Sequence, residues 1–210
     1  MNTPRLSGRF ITLEGGEGVG KSTQLKRLAE ALRARGHDVV ETREPGGSPG
    51  AEAIRKLLLE GEADRWTPEA EALLFAAARA DHVARTIRPA LERGAWVLCD
   101  RFLDSSIAYQ GGAGGVGEAA IRTLHEIGSH GFLPDRTLLL ELPSDAAAER
   151  LGLRGGADRM EAKGDSYHQR VGAAFAALAK AEPGRYRRID ASGSAEQVTE
   201  RLIGALDDLL

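Results

Sequence analysis

The chain has 210 residues, of which 42% are hydrophobic and 28% charged, and this composition is ordinary for one soluble globular domain. Its net charge of −3 argues against a nucleic-acid scaffold, because such proteins are usually basic. Apolar runs are too short for a membrane span of roughly 20 residues, and residues 1–8 lack the apolar segment of a signal peptide. We therefore expect a cytoplasmic protein that contacts neither nucleic acid nor membrane.

Strand and helix periods alternate along the chain, without repeats or a long low-complexity linker. The predicted elements are, in chain order, strand 10–13, helix 24–35, strand 38–42, helix 51–60, helix 68–93, strand 95–100, helix 118–129, strand 136–142, helix 144–151, helix 166–180, strand 186–190 and helix 195–210. Residues 111–117 are predicted as a glycine-rich loop. The alternation predicts an α/β fold, a five-stranded parallel sheet with helices on both faces. Glu14, Arg43 and Asp100 then end neighbouring strands at one edge, where such sheets bind ligands.

A glycine-rich segment follows the first strand and has the pattern G-x-x-x-x-G-K-[ST], which is typical of a P-loop. Glycines let the backbone N–H groups turn inward toward phosphate oxygens. Lys21 adds a charge for the β- and γ-phosphates, and Ser22 offers a hydroxyl to Mg²⁺. A chance match is disfavoured because the segment lies between a strand and a helix. The predicted ATP-binding residues of the loop are Gly15, Gly16, Glu17, Gly18, Val19, Gly20, Lys21, Ser22 and Thr23.

Asp100 and Arg101 follow an apolar strand. A P-loop enzyme places its Mg²⁺-organising aspartate at such a position, and a guanidinium beside it can contact phosphate in two places. The alternative is a solvent-facing pair at a strand end. Cys99, the single cysteine, lies in the same apolar run, and we expect a buried, reduced thiol.

Phe75 and Arg79 lie four residues apart and share a face of the long helix predicted over 68–93. A ring that stacks on a flat heterocycle and a guanidinium that reaches a carbonyl would form a pocket for a base. The alternative is a core phenylalanine with a solvated arginine. Polar residues that could bond a sugar and a base follow Arg101, namely Ser105, Ser106, Tyr109 and Gln110.

A basic run surrounds the polar segment 153–163 and comprises Arg150, Arg154, Arg159 and Lys163. Most charge runs are only solvated surface. Beside a P-loop, however, a mobile basic segment also suits a lid that closes over the γ-phosphate and excludes water. We predict a single P-loop kinase domain over residues 1–210, with a short lid at about 151–163.

Four segments together resemble the bacterial thymidylate kinases: EGGEGVGKST at 14–23, REPGG at 43–47, FAAAR at 75–79 and DRFLDSSIAYQG at 100–111. They have the order and spacing of that family, and the resemblance runs from about Arg9 to the C-terminus. It implies phosphorylation of dTMP to dTDP by ATP with Mg²⁺, and a homodimer.

The resemblance also implies roles for individual residues. The catalytic residues would be Lys21, Arg101, Arg154 and Glu17, and the Mg²⁺ ligands Ser22 and Asp100. Arg150 would contact the adenine. The substrate-binding residues would be Glu44, Pro45, Arg55, Phe75, Arg79, Arg101, Ser105, Ser106, Tyr109 and Gln110. Because no arginine lies within the P-loop, the lid is expected to supply the catalytic one, with Arg154 the first choice and Arg159 the second.

Three other functions compete with this interpretation. A regulatory GTPase would need an N-K-x-D motif, but the only asparagine is Asn2. A kinase for another nucleotide is disfavoured by the 43–47 and 109–110 segments. A nucleotide-binding module without catalysis is disfavoured because Lys21, Ser22, Asp100 and Arg101 are all present.

Overall fold

The computed structural model describes residues 7–62, 64–143, 146–147, 159–160 and 163–210. Strands and helices alternate through these residues as the sequence predicts. The strands are β1 (Arg9–Glu14), β2 (Val39–Arg43), β3 (Trp96–Asp100), β4 (Arg136–Glu141) and β5 (Tyr186–Asp190). The helices are α1 (Lys21–Ala34), α2 (Pro49–Leu59), α3 (Pro68–His82), α4 (Arg88–Glu92), α5 (Leu103–Ser106), α6 (Glu118–Ser129), α7 (Asp165–Ala181) and α8 (Ala195–Gly204). The predicted helix 144–151, apart from residues 146–147, and the predicted segment 153–163, apart from Arg159, Met160 and Lys163, lie outside the described residues.

The five strands form one parallel sheet in the order β2-β3-β1-β4-β5. This confirms the predicted α/β fold of the P-loop type. The register pairs Leu13 with Asp100 and Arg43 with Asp100, so the ends of β1, β2 and β3 lie side by side. The polar residues at these ends therefore meet at one edge of the sheet, as expected.

Side chains alternate between the two faces of the central strands, and both faces are buried. Ile11 and Leu13 of β1 pack with α1 and α8 on one face. Phe10 and Cys99 belong to the core on the other face, with α3, α4 and α7. Cys99 is a buried free thiol, as predicted, and it donates a hydrogen bond to the carbonyl of Arg101 (3.0 Å).

The long helix predicted over 68–93 contains a π-helical turn at Val83–Ile87, between α3 and α4. The N–H of Arg88 bonds the carbonyl of Val83, five residues back. The turn ends two residues before Pro89, which has no N–H to donate. Both π-bulges and prolines are usual causes of a break in helix regularity. No helix in the described ranges combines the length and apolarity that crossing a membrane requires.

The prediction of a loop over 111–117 is wrong for its first three residues. A π-helical segment, Ile107–Ala113, continues from α5, and the N–H of Gly114 closes it on the carbonyl of Tyr109 (2.7 Å). A side chain at Gly112 would approach the Ala174 side chain of α7 to 3.2 Å. The glycines thus permit close helix packing rather than a loop.

The last helix also ends at Gly204, six residues earlier than predicted, although Leu206 remains buried.

Candidate active site

A cleft of about 720 Å³ opens at the carboxyl edge of the sheet. The P-loop and the end of β3 form one end, which we call the phosphate end. The other end is formed by α2, α3 and the π-helical segment after α5, and we call it the base end. The lining residues are Glu17, Gly18, Gly20, Lys21, Ser22, Thr23, Arg43, Glu44, Pro45, Arg55, Leu59, Phe75, Arg79, Asp100, Arg101, Phe102, Ser105, Ser106, Tyr109, Gln110 and Met160. All predicted substrate-binding residues lie on this surface, whereas Arg150 and Arg154 lie outside the described residues.

The backbone of the P-loop needs glycine. Gly15 and Gly20 have φ angles of 135° and 93°, which side chains disfavour. A Cβ at Gly15 would also lie 2.4 Å from the carbonyl oxygen of Leu140 on β4. The loop ends directly at the first residue of α1, Lys21. It therefore presents a helix N-terminus, which favours anions, at the floor of the phosphate end.

Lys21 is held inside the loop that precedes it. Its Nζ donates to the carbonyls of Gly16 (2.6 Å) and Gly15 (3.2 Å). Burial and the charge of Arg101 lower the pKa of Lys21 to about 8, against the opposing effect of Glu17. The ammonium is thus mainly charged at pH 7, and an anionic phosphate would stabilise it further.

Ser22 and Asp100 form the predicted metal pair. Ser22 Oγ donates to Asp100 Oδ2 (2.7 Å). A hydroxyl and a carboxylate oxygen are the hard donors that Mg²⁺ prefers, and Mg²⁺ at nucleotide sites is held by few protein groups, with water and phosphate completing its shell. The donor set therefore fits Mg²⁺. The alternative of a simple solvent-facing pair is disfavoured, since Asp100 bonds the P-loop serine.

Arg101 has a left-handed backbone, with φ 68°, which is uncommon for a residue with a side chain. Its guanidinium bonds the carbonyl of Gly15 (3.0 Å), Ser105 Oγ (3.0 Å), Glu17 Oε1 (2.5 Å) and the Tyr109 hydroxyl (3.2 Å). Tyr109 also donates to Glu17 Oε1 (2.9 Å). This network fixes the Arg101 guanidinium between the P-loop and the π-helical segment that carries Tyr109.

Glu17 is the acidic member of that network. Burial alone would raise its pKa, but Arg101, Lys21 and the Tyr109 hydrogen bond lower it to about 2. Glu17 is therefore ionised at every physiological pH. It holds Arg101 and Tyr109 in place.

Glu14 was expected at the sheet edge but not as part of the site. It is fully buried and accepts hydrogen bonds from the Phe102 N–H (2.7 Å) and Ser105 Oγ (2.6 Å). Burial, with repulsion from Asp104, raises its pKa to about 7. It links the end of β1 to the start of α5 and so positions the arginine between them.

Arg79 lies at the base end and is 2% exposed. Its Nε donates to Glu44 Oε2 (2.8 Å), and its Nη2 donates to Ser106 Oγ (2.7 Å) and the Phe102 carbonyl (3.2 Å). His82 donates from Nδ1 to the other oxygen of Glu44 (3.0 Å). The alternative of a solvated arginine is therefore wrong, because buried partners orient this guanidinium in the wall of the cleft.

Phe75, half-buried one turn before Arg79, lines the same end of the cleft. Pro45 lines the same cleft and follows a cis peptide bond from Glu44. Arg55 of α2 donates to the carbonyl of Pro45 (2.6 Å). These residues give the base end one aromatic and one aliphatic wall.

Sequence reasoning missed Glu71, a buried carboxylate of α3 four residues before Phe75. It accepts hydrogen bonds from Gln110 Nε2 (3.0 Å) and from Lys163 Nζ (3.0 and 3.2 Å). It also forms an ion pair with Arg159. Arg159 Nε also donates to the Leu58 carbonyl (2.8 Å). The available signal was an acidic residue on the helix face shared with Phe75 and Arg79.

The chain is similar to known thymidylate kinases over nearly its whole length. The family model for thymidylate kinase matches residues 13–202. The chain is 69% identical to the thymidylate kinase of Rhizorhabdus wittichii over 98% of this chain and 100% of that protein. It is 54% identical to that of Caulobacter vibrioides, over 91% and 92%. It is 53% identical to that of Gluconobacter oxydans, over 97% and 96% of the two chains.

Proposed function

Because this chain belongs to the thymidylate kinase family, we propose that its cleft transfers the γ-phosphoryl group of ATP to dTMP. A phosphate oxygen of dTMP attacks the γ-phosphorus, the bond to the β–γ bridging oxygen breaks, and ADP leaves with that electron pair. The single observation that carries the proposal is one continuous cleft joining a P-loop to a pocket with an aromatic wall and a buried guanidinium. One substrate can therefore reach the other.

The phosphate end supplies positioning and charge, which is most of what phosphoryl transfer asks of a protein. Lys21 would exchange its carbonyl partners for the β- and γ-phosphates. Arg101, fixed by Glu17 and Tyr109, would hold the dTMP phosphate in line with them. Tyr109 would also crowd the 2′ position of the sugar and favour a deoxyribose.

Ser22 and Asp100 would hold Mg²⁺, which when bound neutralises charge on the β- and γ-phosphates. The close approach of their two oxygens supports this assignment. Of the described residues, no three His, Cys, Asp or Glu side chains group as a fuller metal site. This is compatible with a metal held largely by water and phosphate.

The base end would bind thymine. Phe75 would stack on the ring, Arg79 would donate to a base carbonyl, and Pro45 would contact the 5-methyl group. Arg55, Glu44 and Ser106 support these walls through the hydrogen bonds described above. Ser105 connects this end to Arg101, and Gln110 would bond the remaining polar edge of the base.

Arg154 would supply the catalytic guanidinium of the lid, and Arg150 would contact the adenine. Arg159, the second choice for the catalytic role, is a buried partner of Glu71 and the Leu58 carbonyl. These contacts place it beside α2 and α3 and support Arg154 as the transition-state cation.

We also propose that the protein is a cytoplasmic homodimer, as its family resemblance implies. Leu73 of α3 and Ile127 of α6 are 56% and 72% exposed, and these two helices pack against each other. A second copy of the chain would cover such an apolar face. Light scattering on the purified protein tests this, since a monomer at micromolar concentration would contradict it.

An ADP-release assay across nucleoside monophosphates tests the proposed reaction. With ATP and Mg²⁺ fixed, dTMP should give the highest kcat/KM, followed by dUMP, with dCMP, dGMP and AMP far lower. A preference for any of the last three would refute the thymidylate assignment and favour a kinase for another nucleotide.

A further inference from the structure

Glu71 is a buried acidic residue to which neither the sequence motifs nor the reaction assign a role. It lies on α3, where it contacts Gln110 of the base end on one side and Arg159 and Lys163 on the other. Burial opposes ionisation, but hydrogen bonds from Gln110, Lys163 and Arg159 and the charge of Lys163 outweigh it, so its pKa is below the usual value. The carboxylate is therefore charged and can only accept hydrogen bonds.

This acceptor-only character decides how the Gln110 amide is oriented. The NH₂ group of Gln110 must face Glu71, where Nε2 lies 3.0 Å from Oε1. Its carbonyl oxygen is then left for the cleft, which Gln110 lines. None of the described residues donates a hydrogen bond to that oxygen. Gln110 thus offers an acceptor, whereas Arg79 nearby offers donors.

The opposite side of the carboxylate contacts the C-terminal part of the predicted lid. Arg159 and Lys163 both pair with it, and Met160 between them lines the cleft. Tyr167 then donates to the backbone carbonyl of Tyr109 (2.8 Å), next to Gln110. One carboxylate therefore connects the end of the lid to the residue that faces the base.

We propose that Glu71 is a positioning residue that fixes Gln110 as an acceptor for the N3–H of thymine and ties this orientation to the docking of Arg159 and Lys163. The proposal rests on the proposed function and deepens it. An imide edge, with N–H beside C=O, complements the Gln110 acceptor and the Arg79 donors. Cytosine, with a bare N3 and an amino group at C4, does not.

Paired substitutions at position 71 test this role. Glu71→Asp keeps an acceptor-only group, while Glu71→Gln introduces an amide whose NH₂ can meet the Gln110 carbonyl and turn that amide around. We expect Glu71→Gln to lower the ratio of kcat/KM for dTMP to that for dCMP by at least about tenfold, the scale of one hydrogen bond. Glu71→Asp should keep the ratio within a few-fold even if its activity falls.

Glu69→Gln, an exposed substitution on the same helix, is the matched control and should change neither substrate's kinetics. A merely structural role for Glu71 would lower turnover with both substrates and leave their ratio unchanged. An unchanged ratio in Glu71→Gln, or equal loss of the ratio in both variants, overturns the proposal. Turnover of dTMP by the wild-type protein is measured alongside the variants. If it is normal, an unchanged ratio contradicts only the role of Glu71 and not the proposed function.

Trypsin cleavage of the wild-type protein keeps the proposal testable if the variants do not fold. The peptide bonds after Arg159 and Lys163 are quantified by mass spectrometry with and without saturating dTMP. If dTMP holds Gln110 and Glu71 in the docked arrangement, cleavage at both bonds should slow several-fold, and dCMP at the same concentration should protect less. Equal cleavage with dTMP and without it would overturn the coupling.

Discussion

The two ends of the cleft are built in different ways. The centre of the phosphate end is one short stretch, the P-loop, in which Lys21 bonds a carbonyl only five residues away. Arg101, from the end of β3, joins this loop through its ion pair with Glu17. The base end has no such continuous stretch: Arg79 bonds Glu44, 35 residues away, and Arg159 bonds Glu71, 88 residues away. Backbone geometry therefore shapes the centre of the phosphate end, whereas buried ion pairs between distant segments hold the base end together.

Because of this difference, we expect the phosphate end to determine the rate of the chemical step and the base end to determine substrate selectivity. Charges at the phosphate end would act on the transferring group, so their loss should lower kcat. The base end holds its donors and acceptors through buried partners, so its loss should weaken dTMP binding and selectivity. Substitutions at each end therefore have distinct kinetic signatures.

The largest effect is expected from the lid. Arg154→Ala should lower kcat by about 10³–10⁵-fold, the contribution of a guanidinium at the transition state of phosphoryl transfer. Binding of ATP and dTMP should change little, which calorimetry can check. Single-turnover rates measure the chemical step directly.

Arg159→Ala is the companion variant, because Arg159 pairs with Glu71 at the base end. It should affect dTMP binding more than the chemical step. If both variants bind ATP and dTMP normally and keep kcat within a few-fold, the lid only covers the site. Lys21, Arg101 and Mg²⁺ would then stabilise the charge of the transition state without a lid arginine.

Lys21→Ala should lower kcat by about 10²–10³-fold, a typical cost for losing one preorganised group at the transition state. Its affinity for dTMP should stay near normal, since Lys21 serves the other substrate. Lys26→Ala, an exposed change on the same helix, is the control. A folded Lys21→Ala protein with near-normal kcat would refute the phosphate role.

Glu14→Gln tests the buried electrostatics behind the phosphate end. The folded pKa of Glu14 is raised to about 7, so its contribution to stability is full below its unfolded pKa and is lost as pH rises through 7. The free energy of unfolding of wild type, relative to Glu14→Gln, should thus fall by about 3 kcal/mol between pH 4 and 8. Urea titrations at several pH values measure it, and a pH-independent difference would contradict the burial argument.

The smallest effect concerns the thymine methyl group. If Pro45 and Phe75 enclose it, dTMP should exceed dUMP in kcat/KM by about 10–200-fold, as for one methyl in an apolar pocket. Competition between the two substrates in one reaction gives the ratio directly. Equal kcat/KM values for dTMP and dUMP would show that the base end contacts only the polar edge of the base.

Much of this architecture could be predicted from the sequence. The five strands were predicted from the alternation of strand and helix periods along the chain. The phosphate end was located by the glycine pattern that precedes Lys21. Both are local features of the sequence. Asp100 was found because it directly follows a buried strand. The five-stranded parallel sheet then brought these residues to one edge.

Partners far apart in the chain were harder to find. Glu71 has no local pattern that marks it, since its partners Gln110, Arg159 and Lys163 are brought to it only by the folded chain. The π-helical segment Ile107–Ala113 was missed because glycines suggest loops, whereas these glycines allow α7 to pack closely. Burial of Arg79 likewise depended on Glu44, which a helical spacing does not show.

Affinity for dTMP in variants of the two ends tests the division between them most directly. Titration calorimetry without ATP would compare Lys21→Ala with Arg79→Met, and Phe75→Ala would serve as a second base-end variant, with thermal melts confirming folding. The account predicts near wild-type affinity in Lys21→Ala and at least about tenfold weaker binding in both base-end variants. Weakened dTMP binding in Lys21→Ala together with normal binding in Arg79→Met and Phe75→Ala would contradict it.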